Sequence, residues 1–131
     1  MSIIHISDDI KKEFKLTSEG VAVVSVRGAA RIADIAEVTL RDHFKSASAS
    51  INRTKLVKML VAAGFEVRVL KGFSQLGIPD TALAIILEYY TFEAKDSCTL
   101  QAKLAYRSFS AIGIRTWVQS ELGYCTNVAR F

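Results

Sequence analysis

The sequence predicts a mainly α-helical domain with a small β element, in which an N-terminal helix-turn-helix with winged character packs on a C-terminal helical hairpin. Three observations predict it. Residues 27–45 read as two short amphipathic segments meeting near residues 34–36, and residues 78–94 and 100–121 carry enough apolar side chains to be core helices. Half of the residues are hydrophobic and there is a single proline, the composition of packed helices and not of a disordered tail. A length of 131 residues suits one domain. Residues 1–131 are therefore read as one unit, with a helix-turn-helix-like part at 20–70 and a helical core and dimerisation part at 78–124.

In chain order, Asp8 and Asp9 stand ahead of residues 10–14, where acids favour the start of a helical turn. The run V-A-V-V-S-V, residues 21–26, is β-branched and bounded by Gly20 and Gly28, which predicts a short strand. In residues 27–34, Ala29, Ala30 and Ala33 are small enough for a second helix to cross closely, with Ile32 and Ile35 as bulk near the turn. In residues 37–45, Leu40 and Phe44 are four apart and face inward, leaving Glu37, Thr39, Arg41, Asp42 and Lys45 on other faces. Helix-turn-helix units commonly carry Gly at the turn and a Ser, Thr or Asp cap before the second helix. Here Asp34 and Ala36 hold those places, so one continuous helix is the competing expectation.

The small-residue stretch K-S-A-S-A-S-I-N-R-T-K, residues 45–55, reads as a connector. Residues 54–63 are amphipathic and end at Gly64, as a helix should. F-E-V-R-V-L, residues 65–70, alternates apolar and polar groups and predicts a strand that pairs with residues 21–26 as a wing. Pro79 and Asp80 are start signals for a helix that is apolar nearly all round. Gly28, Gly64, Gly72 and Gly77 are read as breaks. Residues 95–98 break the chain again, Thr99 caps residues 100–121, which form one helix or a pair divided at Gly113, and Gly123 closes them. Surplus apolar surface on this hairpin would serve a homodimer.

Charge points to a partner. Residues 27–58 hold seven Lys and Arg against three Asp and Glu, whereas the whole chain carries only +4. The excess is centred on the suspected motif, as a footprint for a polyanion should be. The expected partner is double-stranded DNA, bound by a homodimer on a palindromic site. Glu37, Thr39, Arg41 and Lys45 would face the major groove, and Arg27, Arg31, Arg53, Lys55 and Lys58 the phosphates. His43 is expected as a partly exposed helix residue, and Tyr89, Tyr90, Tyr106 and Trp117 as packing groups more than base-stacking ones.

Other chemistries lack a motif. His5 and His43 are not grouped with a nucleophile or carboxylate pattern, no glycine-rich phosphate loop occurs, and Cys98 and Cys125 form no ligand cluster. No enzyme, cofactor or metal is expected. The two dispersed cysteines, the absence of a basic flank and apolar run at residues 1–10, and a longest apolar run of only residues 82–87 predict a cytoplasmic protein.

Residues 109–124, F-S-A-I-G-I-R-T-W-V-Q-S-E-L-G-Y, resemble a segment near the end of small phage antirepressor-like and KilA-type proteins. The matching places are Phe109, Ile112, Gly113, Ile114, Glu121, Gly123 and Tyr124, and R-G-A-A-R-I-A and I-P-D-T-A-L-A-I-I-L-E-Y-Y extend the likeness over residues 20–124. Residues 1–26 depart from the KilA-type N-terminal signature. The resemblance implies a phage-type DNA-associated regulator in which a DNA-binding or repressor-interacting module joins a helical C-terminal part. It brings no catalytic set. A second class therefore stands beside DNA binding: an antirepressor-like module that binds a host or phage protein.

Overall fold

A computed structural model of the chain describes residues 8–47 and 53–122. The expected roles of His5, Gly123, Tyr124 and Cys125, and the middle of the 45–55 connector, fall outside them. The order of elements is α1 (Asp8–Lys11), β1 (Phe14–Leu16), β2 (Ala22–Val24), α2 (Val26–Ala33), α3 (Glu37–Ser46), α4 (Lys55–Ala62), α5 (Val67–Leu76), β3 (Ile78–Pro79), α6 (Asp80–Glu88), α7 (Leu100–Ile112) and α8 (Ile114–Glu121). One π turn, Tyr89–Glu93, extends α6, and a 3₁₀ turn, Lys95–Ser97, precedes α7. The fold is thus mainly helical with a small antiparallel sheet, as its composition predicts.

The sheet runs β1-β2-β3. Phe14 lies opposite Val24, Leu16 opposite Ala22, and Ile78 opposite Val24. Phe14, Ala22, Val24 and Ile78 are buried, so the sheet turns one face into the core. Because β2 is central, both of its edges are occupied. That overturns the expected wing: residues 65–70 have no edge of β2 to pair with. Val67 instead opens helix α5, whose Leu70 and Phe73 are buried. A six-residue window shows the alternation, whereas the ten residues of α5 show the helical period. Gly28 and Gly72 also differ from expectation, since both lie within helices.

Gly28 has another purpose. A Cβ there would stand 2.6 Å from the Cβ of Glu13 and 2.8 Å from Cγ2 of Val24, so glycine lets the first turn of α2 press onto the sheet. Ser25 caps that turn, accepting the Gly28 N–H at 3.0 Å and donating to the Glu13 carboxylate. The run 21–26 therefore ends as a strand before Ser25.

Helices α2 and α3 are separate, as expected. The break is a Schellman-type cap: the Asp34 N–H reaches the Arg31 carbonyl at 3.2 Å and the Ile35 N–H the Ala30 carbonyl at 3.0 Å, with Asp34 in the left-handed region at φ 58°. Asp tolerates that conformation better than most residues, which is how the turn manages without glycine. Ala36 offers no side-chain bond to α3. Thr99 caps α7 as the sequence predicts; Thr54 caps α4, and of the two readings of residues 100–121 the structure has the pair divided at Gly113. The core comprises α6 and its neighbours, with Leu83, Ile86, Leu87 and Tyr90 buried against Ala102, Ala105 and Val118. Among the described residues no helix is long and apolar enough to cross a membrane.

Two substitutions should act in opposite directions. Asp34→Gly relieves the left-handed backbone and should raise the unfolding free energy by about 1 kcal/mol. Gly28→Ala meets Glu13 and Val24 and should lower it by about 1–3 kcal/mol. Urea unfolding followed by circular dichroism reads both, and equal effects would contradict the two roles.

Candidate nucleic-acid interface

The outward side of α3 is set by its inward side. Leu40, His43 and Phe44 are buried, while Val38, Thr39, Asp42 and Lys45 are exposed and Glu37 and Arg41 lie between. His43, at 9% exposure, is a core residue and not the partly exposed group expected from its place on an amphipathic helix. Its Nδ1 is 2.8 Å from the Thr54 hydroxyl and its Nε2 2.9 Å from the Tyr90 hydroxyl. Tyr89 meets the imidazole edge-on at 5.5 Å. The Thr54 hydroxyl also accepts the Val57 N–H at 3.4 Å, so a single relay fastens α3 to the start of α4 and to the turn after α6.

Burial holds the His43 imidazole below its ordinary value of 6.5, against a smaller upward pull from the Asp42 carboxylate. Burial likewise pushes the Tyr90 phenol up to about 12, and Tyr89 adds to it. A neutral imidazole donates at one nitrogen and accepts at the other, and either hydroxyl can complement it. The relay thus holds α3 without a buried charge.

The expected site residues separate into three groups. Arg27 of α2 and Glu37 and Arg41 of α3 meet directly: Arg41 Nε and Nη2 donate to one Glu37 carboxylate oxygen at 2.9 and 2.6 Å, and Arg27 Nε lies 3.8 Å from the other. Lys45 is exposed one turn beyond Arg41. Arg31 takes a different acid, Glu13, at 3.9 Å. On α4, Lys55 pairs with Glu93 and Lys58 is exposed, with half-buried Arg53 just ahead of the helix. Thr39 stands exposed on the first turn of α3. The local excess of basic residues is therefore partly spent in ion pairs, a redistribution that a count along the chain does not register.

The end of α2 is held from a distance. Thr99 Oγ1 donates to the Ala33 carbonyl at 2.6 Å, and Gln101 Nε2 donates to the carbonyls of Arg31 and Ile32 at 2.6 and 3.0 Å. The first turn of α7 thereby receives the last carbonyls of α2. Side chains missed by sequence reasoning lie on α5: Lys71 and Ser74 share a hollow with Arg41 and Lys45. Reading residues 65–70 as a strand concealed them, and a window continued to Phe73 reveals the helix.

Comparison with protein-family models, curated proteins and solved structures finds no match. A larger cavity of about 460 Å³ lies among α6, α7 and α8, lined by apolar groups with Asp80, Thr81 and Thr116 at its polar parts. Asp80 is buried there and accepts the Ala22 N–H at 3.2 Å. That carboxylate braces β2. Among the described residues no three His, Cys, Asp or Glu side chains gather as a metal site.

The relay makes stability depend on pH with a definite sign. Between the lowered folded value of His43 and 6.5, the unfolded chain binds more protons, so stability falls as pH falls. Urea unfolding from about pH 7.5 down to about pH 5.5 should show this loss, and His43→Gln should flatten the profile while lowering its upper end by about 1–3 kcal/mol. An unchanged profile in the variant would refute the buried neutral imidazole.

Proposed function

We propose that the chain is a sequence-specific DNA-binding transcriptional regulator of phage or mobile-element type, acting through α2 and α3 as a helix-turn-helix. The observation that carries this reading is the outward side of α3, where Arg41 and Lys45 are neighbours four residues apart and Thr39 is exposed at its flank, on a helix separated from α2 by the cap at Asp34. In the proposed complex α3 enters the major groove, Arg41 and Lys45 supply the cationic contacts, and Thr39 offers a hydroxyl to a base edge. The Glu37 carboxylate orients Arg41, and a guanidinium held in plane is well suited to bidentate contact with guanine or phosphate. Arg27 and Arg31 on α2, and Arg53, Lys55 and Lys58 around the start of α4, are the proposed phosphate contacts, those in ion pairs exchanging acid for phosphate. A homodimer would place two such helices on a palindromic site.

The resemblance to antirepressor-like and KilA-type proteins supports the same class, and it also supports a second reading. Phe92 is 61% exposed and Leu100 71%, with the Phe92 ring edge-on to Tyr106 of α7 at 5.4 Å. Exposed apolar groups of this kind suit a protein partner, as expected of an antirepressor-like module that binds a host or phage protein.

Fluorescence anisotropy with duplex DNA across a salt series separates the two. The DNA reading expects affinity that falls steeply with salt, and Arg41→Ala combined with Lys45→Ala should reduce the salt slope by about two and weaken binding at least tenfold at low salt. Absence of DNA binding at low salt, or binding indifferent to both substitutions, would reject it. Co-purification of one protein partner without nucleic acid would then favour the module.

A further inference from the structure

Helix α5 lies beside α3, joined to it through Phe73, whose ring meets Phe44 edge-on at 5.3 Å. Between the two helices is a hollow of about 240 Å³, lined by Arg41, Phe44, Lys45, Lys71 and Ser74. We propose that this hollow is a phosphate-binding subsite in which Lys71 and Ser74 of α5 complete a set begun by Arg41 and Lys45 of α3. The inference deepens the DNA-binding reading and rests on it only for the source of the phosphate.

The lining argues for an anion by its chemistry. It brings three cationic side chains and a hydroxyl donor to one concavity, and none of its described lining residues is acidic. A phosphate in the hollow would be faced by these cationic groups and by no acidic lining residue. The four side chains are complementary in geometry. Arg41, oriented by Glu37 through Nε and Nη2, supplies a planar fork, whereas Lys45 and Lys71 are exposed on their helices and supply flexible point charges. Ser74 adds a neutral donor. Phe44, buried in the core, adds an apolar ring to the lining.

The position matters as much as the composition. Three lining side chains come from α3 and two from α5, and the two helices meet through a buried aromatic contact, so the subsite is held between packed elements. On a duplex entered by α3, the hollow would seat a backbone phosphate flanking the groove, positioning the protein without reading sequence. A free phosphate or a phosphorylated small molecule presents the same chemistry, and the two sources are separable by experiment.

The first arm titrates the ¹⁵N-labelled protein with inorganic phosphate, with chloride as control, and follows backbone amides by NMR. Shifts confined to Arg41, Lys45, Lys71, Ser74 and their neighbours are expected. The second arm measures the salt dependence of random-sequence duplex binding for the wild type, Lys71→Ala and Lys71→Arg. Loss of the lysine should reduce the slope by about one and weaken low-salt binding several-fold, and arginine should restore it. Phosphate shifts without DNA binding would keep the subsite, assign it to a free phosphate and overturn the DNA reading. A slope lowered by Lys71→Ala would keep the subsite and assign it to DNA, whether or not free phosphate is bound. No phosphate shift together with duplex binding untouched by Lys71→Ala would overturn the subsite and leave the DNA reading standing. No shift and no duplex binding would overturn both.

Discussion

The last carbonyls of α2 are the constraint on which the arrangement of this protein depends. A helix end leaves its final carbonyls without intrahelical partners, and where packing partly shields them from water they need other donors. Here they are divided between local and distant donors. Asp34 and Ile35 serve Arg31 and Ala30 through the turn, while Thr99 and Gln101 of α7 serve Ala33, Ile32 and Arg31. Roughly seventy residues therefore separate partners at one helix end. The α2–α3 turn and the C-terminal helices behave as one packed body, because the position of the first is completed by polar groups of the second.

A second constraint rotates α3. Phe44 packs toward Phe73, and His43 satisfies both ring nitrogens between Thr54 and Tyr90. Together these choose which residues of α3 face outward. An apolar residue at position 43 would fill space but impose no direction, whereas an imidazole with two partners tolerates little rotation of the helix that carries it. The outward set of Thr39, Asp42 and Lys45 is thus a consequence of a buried polar relay, and the surface proposed to contact DNA inherits its orientation from the core.

Much of this was legible in the sequence, for local reasons. Thr99 announces a helix start because a hydroxyl there can accept a backbone N–H, and Gly113 offered a break as one of two readings. The separation of α2 from α3 was visible in the change of periodicity at 34–36, although the left-handed Asp34 that makes it possible was not. What escaped was non-local. Alternation in 65–70 satisfies a strand only if a sheet edge awaits it, and that edge was already held by β1 and β3, two strands too short to stand out. The burial of His43 depends on Tyr90, forty-seven residues away. The candidate site was legible in part: Arg41 and Lys45 lie on the expected helix, but Lys71 and Ser74 were hidden by the misread α5, and the pairing of Glu37 with Arg27 and Arg41 appears only in three dimensions.

That pairing changes how the charge of the chain should be weighed. A net +4 spread evenly would attract a polyanion weakly, since fields from exposed charges fade over about 8 Å at physiological ionic strength. What decides attraction is therefore the balance within a few ångströms of each contact. Around the first turn of α3, Glu37 offsets much of Arg27 and Arg41, and exposed Asp42 opposes a phosphate on the same helix. Further along, Lys45 and Lys71 share one hollow with the Glu37-paired Arg41, and none of its described lining residues is acidic. The surface is electrostatically graded, mixed at the N-terminal turn of α3 and cationic where α3 meets α5. In the proposed DNA complex, such a gradient would seat the cationic end on a phosphate and present the mixed end, with both donors and acceptors, to groups whose hydrogen-bonding pattern can be discriminated.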